Sequence, residues 1–179
     1  MYHILAKHKL TSLHIMVVIL GLTGVFGKLI SLGTIHLVWY RMGIAFLSLA
    51  IFLAFKKQLF SVNKKDFLGI LGVGALVTFH WLFFFESIKV STVSVAVVCL
   101  ATSSLFSALI EPLFFKRKLL GYEVVMGGIV IIALGFVMGA ETKYIWGYFY
   151  GIMAALLGTL FTLFNAKYIK KVGAAQITM

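Results

Sequence analysis

Long hydrophobic runs follow one another along most of the chain and are separated by short polar links. Each run is about 20 residues long, which is the length of helix that crosses a bilayer core about 30 Å thick. None of them alternates polar and apolar positions with a period of two, as a strand of a membrane barrel would. The pattern predicts six membrane-spanning helices, at residues 11–30, 35–55, 67–88, 92–115, 122–140 and 145–166.

Composition supports this prediction. The chain is 62% hydrophobic and 12% charged, with a mean hydropathy of +1.09, whereas soluble domains have about 25% charged residues. The longest link, residues 56–66, is too short to fold alone, so we expect an all-α polytopic transmembrane helical bundle without an extramembrane domain. A single cysteine, Cys99, excludes a disulfide within the chain and a zinc site built on cysteine pairs.

Twelve of the sixteen basic residues fall on one side of the membrane if the N-terminus is cytoplasmic. They are Lys7, Lys9, Lys56, Lys57, Lys64, Lys65, Lys116, Arg117, Lys118, Lys167, Lys170 and Lys171. The opposite side has Lys28, Lys89 and Lys143, and Arg41 falls inside the second span. Because this bias lies in short links, the basic residues orient the chain in the membrane. The net charge of +11 then predicts contact with membrane lipids and no nucleic-acid partner.

Glycines recur at short helical spacings in three of the predicted spans. Residues three, four or seven apart share one helix face, and small residues there let neighbouring helices approach closely. The glycines are Gly21, Gly24 and Gly27 in the first span, Gly135 and Gly139 in the fifth, and Gly147, Gly151 and Gly158 in the sixth. They predict packing seams inside a compact bundle.

Polar residues at membrane depth are the candidate functional groups, because burying them in lipid is costly. On the fourth span, Cys99, Ser103, Ser107 and Glu111 recur every four residues and form one polar stripe, with Ser104 beside it. The stripe predicts the lining of a substrate pathway. The alternative is that the hydroxyls bond back to their own helix and that Glu111 alone has a function.

His80 and Trp81 lie at the middle of the third span and are followed by three phenylalanines. An imidazole at this depth can relay a proton or bond to a substrate, so both residues are candidates for the pathway. The alternative is a structural histidine that is satisfied by a neighbouring helix.

Charged residues near the two surfaces lead to further predictions. Glu111 precedes the chain's only proline, Pro112, which removes a helical hydrogen bond and predicts a bend that could serve as a gate. Glu111 there is within reach of water or of Arg117. Near the outer surface, Glu86 and Lys89 are three residues apart and predict an exposed ion pair.

A short internal repeat relates the ends of the first and sixth spans. VFGKLI at 25–30 and FNAKYI at 164–169 align Lys28 with Lys167 and Ile30 with Ile169. Since the copies are five spans apart, they have opposite orientations in the membrane. This is the arrangement of inverted-repeat transporters.

Longer segments resemble the EamA-type transporters of the drug/metabolite transporter superfamily. They are VWYRMGIAFLSLA, ESIKVSTVSVAVV, and SSLFSALIEPLFFKRKL followed by GGIVIIALGFVMG. The chain departs from the family pattern at Ser103 and Ser104, where a proline is usual, and at Lys116 to Lys118, where the turn is usually acidic. HWLFFFESIKV and IEPLFFKRK are similar to a bacterial subgroup, and the resemblance covers nearly the whole chain.

The resemblance implies ten spans arranged as two inverted five-helix halves. Residues 1–140 then correspond to the first EamA repeat and 141–179 to the start of a second repeat that stops after the sixth helix. We therefore expect the missing second repeat to be the main protein partner and the sixth helix to be loosely placed without it. The resemblance also implies a structural or gating role for Arg41.

The resulting prediction is a secondary transporter, an exporter of small organic metabolites or drugs by alternating access, in the bacterial cytoplasmic membrane. The candidate pathway residues are His80, Trp81, Cys99, Ser103, Ser104, Ser107, Glu111 and Arg41. We expect no enzyme activity, cofactor or metal, because the histidines lie on different spans and no phosphate-binding glycine loop with an adjacent lysine is present. The alternatives are a structural assembly subunit, which would not move solute after reconstitution, and a membrane-embedded enzyme.

Overall fold

The computed structural model describes residues 9–55 and 64–172, and the regular structure of these ranges is helical. The helices are α1 Lys9–Leu29, α2 Thr34–Phe55, α3 Lys64–Val90, α4 Val93–Phe115, α5 Gly121–Ala140 and α6 Ile145–Val172. One turn of 3₁₀-helix, Thr142–Tyr144, precedes α6. All six helices are long and apolar enough to cross a membrane. The chain is therefore a multi-pass membrane protein, and the prediction of an all-α transmembrane bundle is confirmed.

Part of the predicted charge pattern lies outside the described residues. This applies to Lys7 and to Lys56 and Lys57 in the longest link.

The helix α4 has a cap at each end. The Thr92 hydroxyl accepts a hydrogen bond from the Val95 amide at 3.2 Å and forms the N-cap of α4. At the other end of α4, Lys116 has a φ of 54°, the left-handed conformation that commonly ends a helix. The two caps set where α4 begins and where it ends.

The helix α6 is central, because it packs along both α3 and α4. A Cβ on Gly147 would overlap Ser91, and a Cβ on Gly151 would lie 2.9 Å from the Cys99 Sγ. Tyr148, between the two glycines, is 1% exposed. The expectation of a loosely placed sixth helix is wrong, because the glycine face of α6 already fits against two helices of this chain.

The helix α5 packs on α4 through a different glycine from the predicted ones. A Cβ on Gly127 would lie 2.6 Å from the Leu105 Cδ1, so a larger residue there would require the end of the Leu105 side chain to shift. A Cβ on Gly135 or Gly139 would have no neighbouring atom within 4 Å. The packing seam predicted for these two glycines is wrong, since that face of α5 contacts no other described helix.

The helices α1 and α2 are peripheral and expose most of their large apolar side chains, as expected for faces in contact with lipid. The inner face of α1 contains Gly24 and Gly27, as predicted for a seam. A Cβ on Gly24 would lie 3.2 Å from Val93, and one on Gly27 would overlap the Phe85 ring. Gly21, the third predicted member, has open space around it.

Lys28 joins the end of α1 to the end of α3. Its Nζ donates hydrogen bonds to the carbonyls of Ile88 at 2.8 Å and Ser91 at 2.7 Å. The last carbonyls of a helix lack partners within the helix and carry a partial negative charge, so a lysine there is favourable. This contact fixes α1 against the short α3–α4 link.

The predicted ion pair between Glu86 and Lys89 is wrong. Glu86 accepts a hydrogen bond from the Thr34 hydroxyl at 2.6 Å, and the Lys89 Nζ donates to the Ile30 carbonyl. Both partners lie at helix ends, where backbone and side-chain polar groups need partners from outside the helix. The two side chains therefore tie α3 to the α1–α2 link instead of binding each other.

Candidate functional site

A groove of about 340 Å³ opens between α3, α4 and α6. Its lining residues are Val77, His80, Trp81, Leu100, Ser103, Ser107, Ala155, Gly158, Thr159, Phe161 and Thr162. At a helical rise of about 1.5 Å per residue, His80 lies about 15 Å from the Val90 end of α3. Since a bilayer core is about 30 Å thick, the groove is centred near mid-membrane depth.

His80 is held in the groove by a hydrogen bond to α6. Its Nδ1 lies 2.7 Å from the Ala154 carbonyl oxygen. A carbonyl can only accept, so Nδ1 carries the proton and donates it. Gly158 makes room for this contact, because a Cβ at that position would lie 2.8 Å from Nδ1. His80 is thus satisfied by a neighbouring helix, as the structural alternative predicts, and it also lines the groove. Its role in a substrate pathway stays a prediction.

Trp81 connects the groove to Arg41 on α2. The Arg41 guanidinium carbon lies 3.8 Å from the centre of the indole ring and 5.6 Å from the centre of the Phe85 ring. Such stacking of a guanidinium on an aromatic face is favourable where water is scarce. Arg41 does not line the groove, but it stacks on the Trp81 ring, which does.

The predicted polar stripe on α4 is divided among three environments. Ser103 and Ser107 line the groove. Cys99 is fully buried against α6, with its Sγ 3.9 Å from the Tyr148 carbonyl oxygen. Glu111 lies beyond the groove, near the other end of α4. A spacing of four residues advances by roughly 40° around a helix at each step, so a stripe of four residues winds out of any one surface.

Ser104 is exposed and lies outside the groove. Its hydroxyl donates a hydrogen bond to the Ala101 carbonyl of its own helix at 2.8 Å. This is the alternative that the sequence left open for hydroxyls in membrane helices.

Glu111 belongs to an ion-pair cluster that joins α4 to α5. Arg117 lies 3.2 Å from Glu111 and 2.7 Å from Glu123. Its hydrogen bonds to Glu123 and then to Glu111 raise the pKa of Arg117 above its ordinary value. Glu123 also accepts a hydrogen bond from the Leu120 amide at the start of α5. The members of this cluster lie on both sides of Pro112, and the cluster closes the α4–α5 turn.

The sequence interpretation missed the whole wall that α6 contributes. Thr159 and Thr162 line the groove, and Thr159 is 2% exposed. The signal that could have identified them is the segment GTLFT at 158–162, where hydroxyls follow a seam glycine on a helix face that must pack. Within the part of the chain that the structure describes, no group of three or more histidine, cysteine or acidic residues could hold a metal ion.

Comparison with known proteins supplies independent information. Residues 10–139 match the model of the EamA-like transporter family. The chain is 30% identical over 144 residues to "Uncharacterized transporter YdfC" of Bacillus subtilis, an alignment that covers 77% of this chain and 46% of that protein. It is 28% identical over 152 residues to an "Uncharacterized transporter" of Haemophilus influenzae, covering 80% of this chain and 50% of that protein.

The chain thus spans about half the length of the curated relatives that it matches. No solved structure matches it significantly.

Proposed function

The chain belongs to the EamA-like transporter family, and on this premise we propose that it forms one half of a secondary carrier for small organic metabolites or drugs. The main support is the groove at mid-membrane depth, which combines apolar walls with His80 and several hydroxyls. Pockets of this size and mixed lining suit small amphipathic molecules. The family match and the two relatives with transporter names favour this function over an assembly subunit or an enzyme.

We propose alternating access as the mechanism and export as the direction. In carriers built from two halves, the substrate site lies at the interface of the halves and faces each side of the membrane in turn. The groove is only partly enclosed by the described helices, which suits a site whose other wall comes from a second half. The Arg117 cluster with Glu111 and Glu123 lies at the proposed cytoplasmic end of α4 and would hold α4 and α5 together as the halves move.

We propose that the N-terminus is cytoplasmic in a bacterial inner membrane. Cysteine substitutions at exposed positions test this orientation, because Cys99 is fully buried and gives little background. We expect Thr142→Cys to react with an impermeant maleimide added to intact cells, and Lys118→Cys to react only after the membrane is permeabilised. The opposite labelling pattern would contradict the orientation that the lysine distribution predicts.

The role of the groove can be tested in a fusion protein. It joins this chain to the part of the Bacillus subtilis relative that lies outside the alignment. A screen of labelled metabolites in liposomes would identify a transported solute. We expect His80→Leu to lower its flux about tenfold, since losing a polar contact to a bound solute costs about 1.4 kcal/mol. Phe79→Leu is the matched control, because Phe79 is the neighbouring residue on α3 and is 53% exposed.

Glu111→Gln tests whether the ion-pair cluster contributes as well. Circular dichroism and gel filtration would show that each variant is folded. Full flux in both His80→Leu and Glu111→Gln would exclude the two main candidates and reduce the polar lining to a packing role.

A further inference from the structure

Three of the four hydroxyl groups that line the groove have their protons committed to backbone carbonyls. Ser103 Oγ donates to the Leu100 carbonyl at 2.6 Å, and Thr162 Oγ1 donates to the Gly158 carbonyl at 2.8 Å. Thr159 Oγ1 donates to the Ala155 carbonyl at 2.9 Å. Because a carbonyl oxygen only accepts, each of these hydroxyls has lone pairs left and no proton to offer to a ligand.

His80 follows the same rule. Its Nδ1 proton is used in the 2.7 Å bond to the Ala154 carbonyl. In the neutral ring, Nε2 is therefore unprotonated and accepts hydrogen bonds. Ser107 is the exception among the described lining residues, since its hydroxyl has no hydrogen-bond partner and can turn either way.

The described lining of the groove contains acceptors and aromatic rings and has no lysine, arginine, aspartate or glutamate. An ammonium group has three donors and no acceptor, so it matches such a surface, and the rings of Trp81 and Phe161 offer further favourable contacts to a cation. A carboxylate or phosphate has only acceptors and would face lone pairs. We propose that the groove binds the amino group of its substrate and selects amines over carboxylates and phosphates. This inference rests on the proposed function of the groove.

Among the described residues near the groove, the charge of Arg41 opposes this selectivity. Its guanidinium lies 3.8 Å from the centre of the Trp81 ring, and its charge attracts anions. However, Arg41 is not among the lining residues. An acid in the groove would therefore meet the lone pairs of the hydroxyls, which contact it directly. The experiment includes an Arg41 variant so that the two effects can be separated.

The test is a binding measurement on the full chain in detergent or lipid nanodiscs. The variant with Trp39→Phe and Trp146→Phe keeps Trp81 as its single tryptophan, and both replaced residues are largely exposed. Trp81 emission then reports binding in the groove. The probes are phenethylamine, 2-phenylethanol and 3-phenylpropionate, which share a phenyl ring and a two-carbon spacer and differ in the polar group. We expect phenethylamine to bind at least tenfold more tightly than 3-phenylpropionate.

Substitution of one acceptor makes the test specific. Thr162→Val keeps the side-chain shape and removes the hydroxyl, so phenethylamine should bind about fivefold to tenfold more weakly while 3-phenylpropionate is unaffected. Thr78→Val is the matched control, because the Thr78 hydroxyl makes the same bond to its own helix, at 2.8 Å to the Gly74 carbonyl, and lies outside the groove. The control should bind phenethylamine as the parent does.

Each outcome decides the proposal. Equal or tighter binding of 3-phenylpropionate would overturn it, and loss of that binding in Arg41→Met would assign the groove to anions. Absence of saturable binding by any probe would overturn this inference, whereas the groove as a transport site is decided separately by flux in the fusion protein. Preferred phenethylamine binding by the chain, together with no flux of any amine or other metabolite in the fusion protein, would support the inference and contradict the proposed function.

Discussion

Replacing Gly151 with alanine is expected to destabilise the bundle by about 1–3 kcal/mol, the typical cost of inserting a carbon into a packed interior. The added Cβ would lie 2.9 Å from the Cys99 Sγ and 3.2 Å from the Ser87 Oγ, and it would overlap the Cys99 Cβ. A Cβ cannot rotate away as the end of a flexible side chain can. The helices α4 and α6 would have to separate, and the thermal unfolding midpoint of the purified chain in detergent should fall.

Gly135→Ala is the matched control for this substitution. A Cβ at Gly135 would have no neighbour within 4 Å, so only the higher helix propensity of alanine should act, which is favourable by up to about 1 kcal/mol. The two Gly→Ala variants should therefore shift the unfolding midpoint in opposite directions or differ clearly in size. Equal midpoints for Gly151→Ala and the parent chain would show that α6 does not pack closely on α4.

The helices were predictable from the sequence because hydropathy and span length are local properties. Six runs of about 20 apolar residues can satisfy their backbone hydrogen bonds in lipid only as helices. The position of α6 in the bundle depends on long-range contacts, which local patterns do not contain. The spacing of Gly147, Gly151 and Gly158 correctly predicted a packing face. It did not show that the partners of this face, α3 and α4, are already present in the chain.

The candidate site was predictable only in part, for a similar reason. His80, Trp81, Ser103 and Ser107 were found because polar or aromatic residues at membrane depth stand out in an apolar sequence. The predicted stripe included Glu111, which lies outside the groove, because residues four apart are displaced around the helix at each step. The hydrogen bonds from the hydroxyls to carbonyls of their own helix depend on the positions of the backbone atoms. The structure is therefore needed to show which lone pairs of these hydroxyls face a ligand.

The chain alone is expected to show no solute flux. The groove is lined by residues of α3, α4 and α6 among the described helices, and it is only partly enclosed. A carrier must close its site to each side of the membrane in turn, which a single open wall cannot do. The measurement is efflux from liposomes that contain the 179-residue chain, with the fusion protein and the full-length Bacillus subtilis relative in parallel. The tested solute is one that the relative moves.

The alternative hypothesis is that two copies of the chain in opposite orientations together form the closed transport site. The predicted placement of twelve basic residues on one side favours a single orientation, and two copies that share one orientation cannot form an inverted arrangement. The competing idea also predicts flux that rises with the square of the amount of chain at low density, because two copies must meet. We expect flux with the fusion protein and none with the chain at any density. Robust flux by the chain alone would contradict the requirement for a second half.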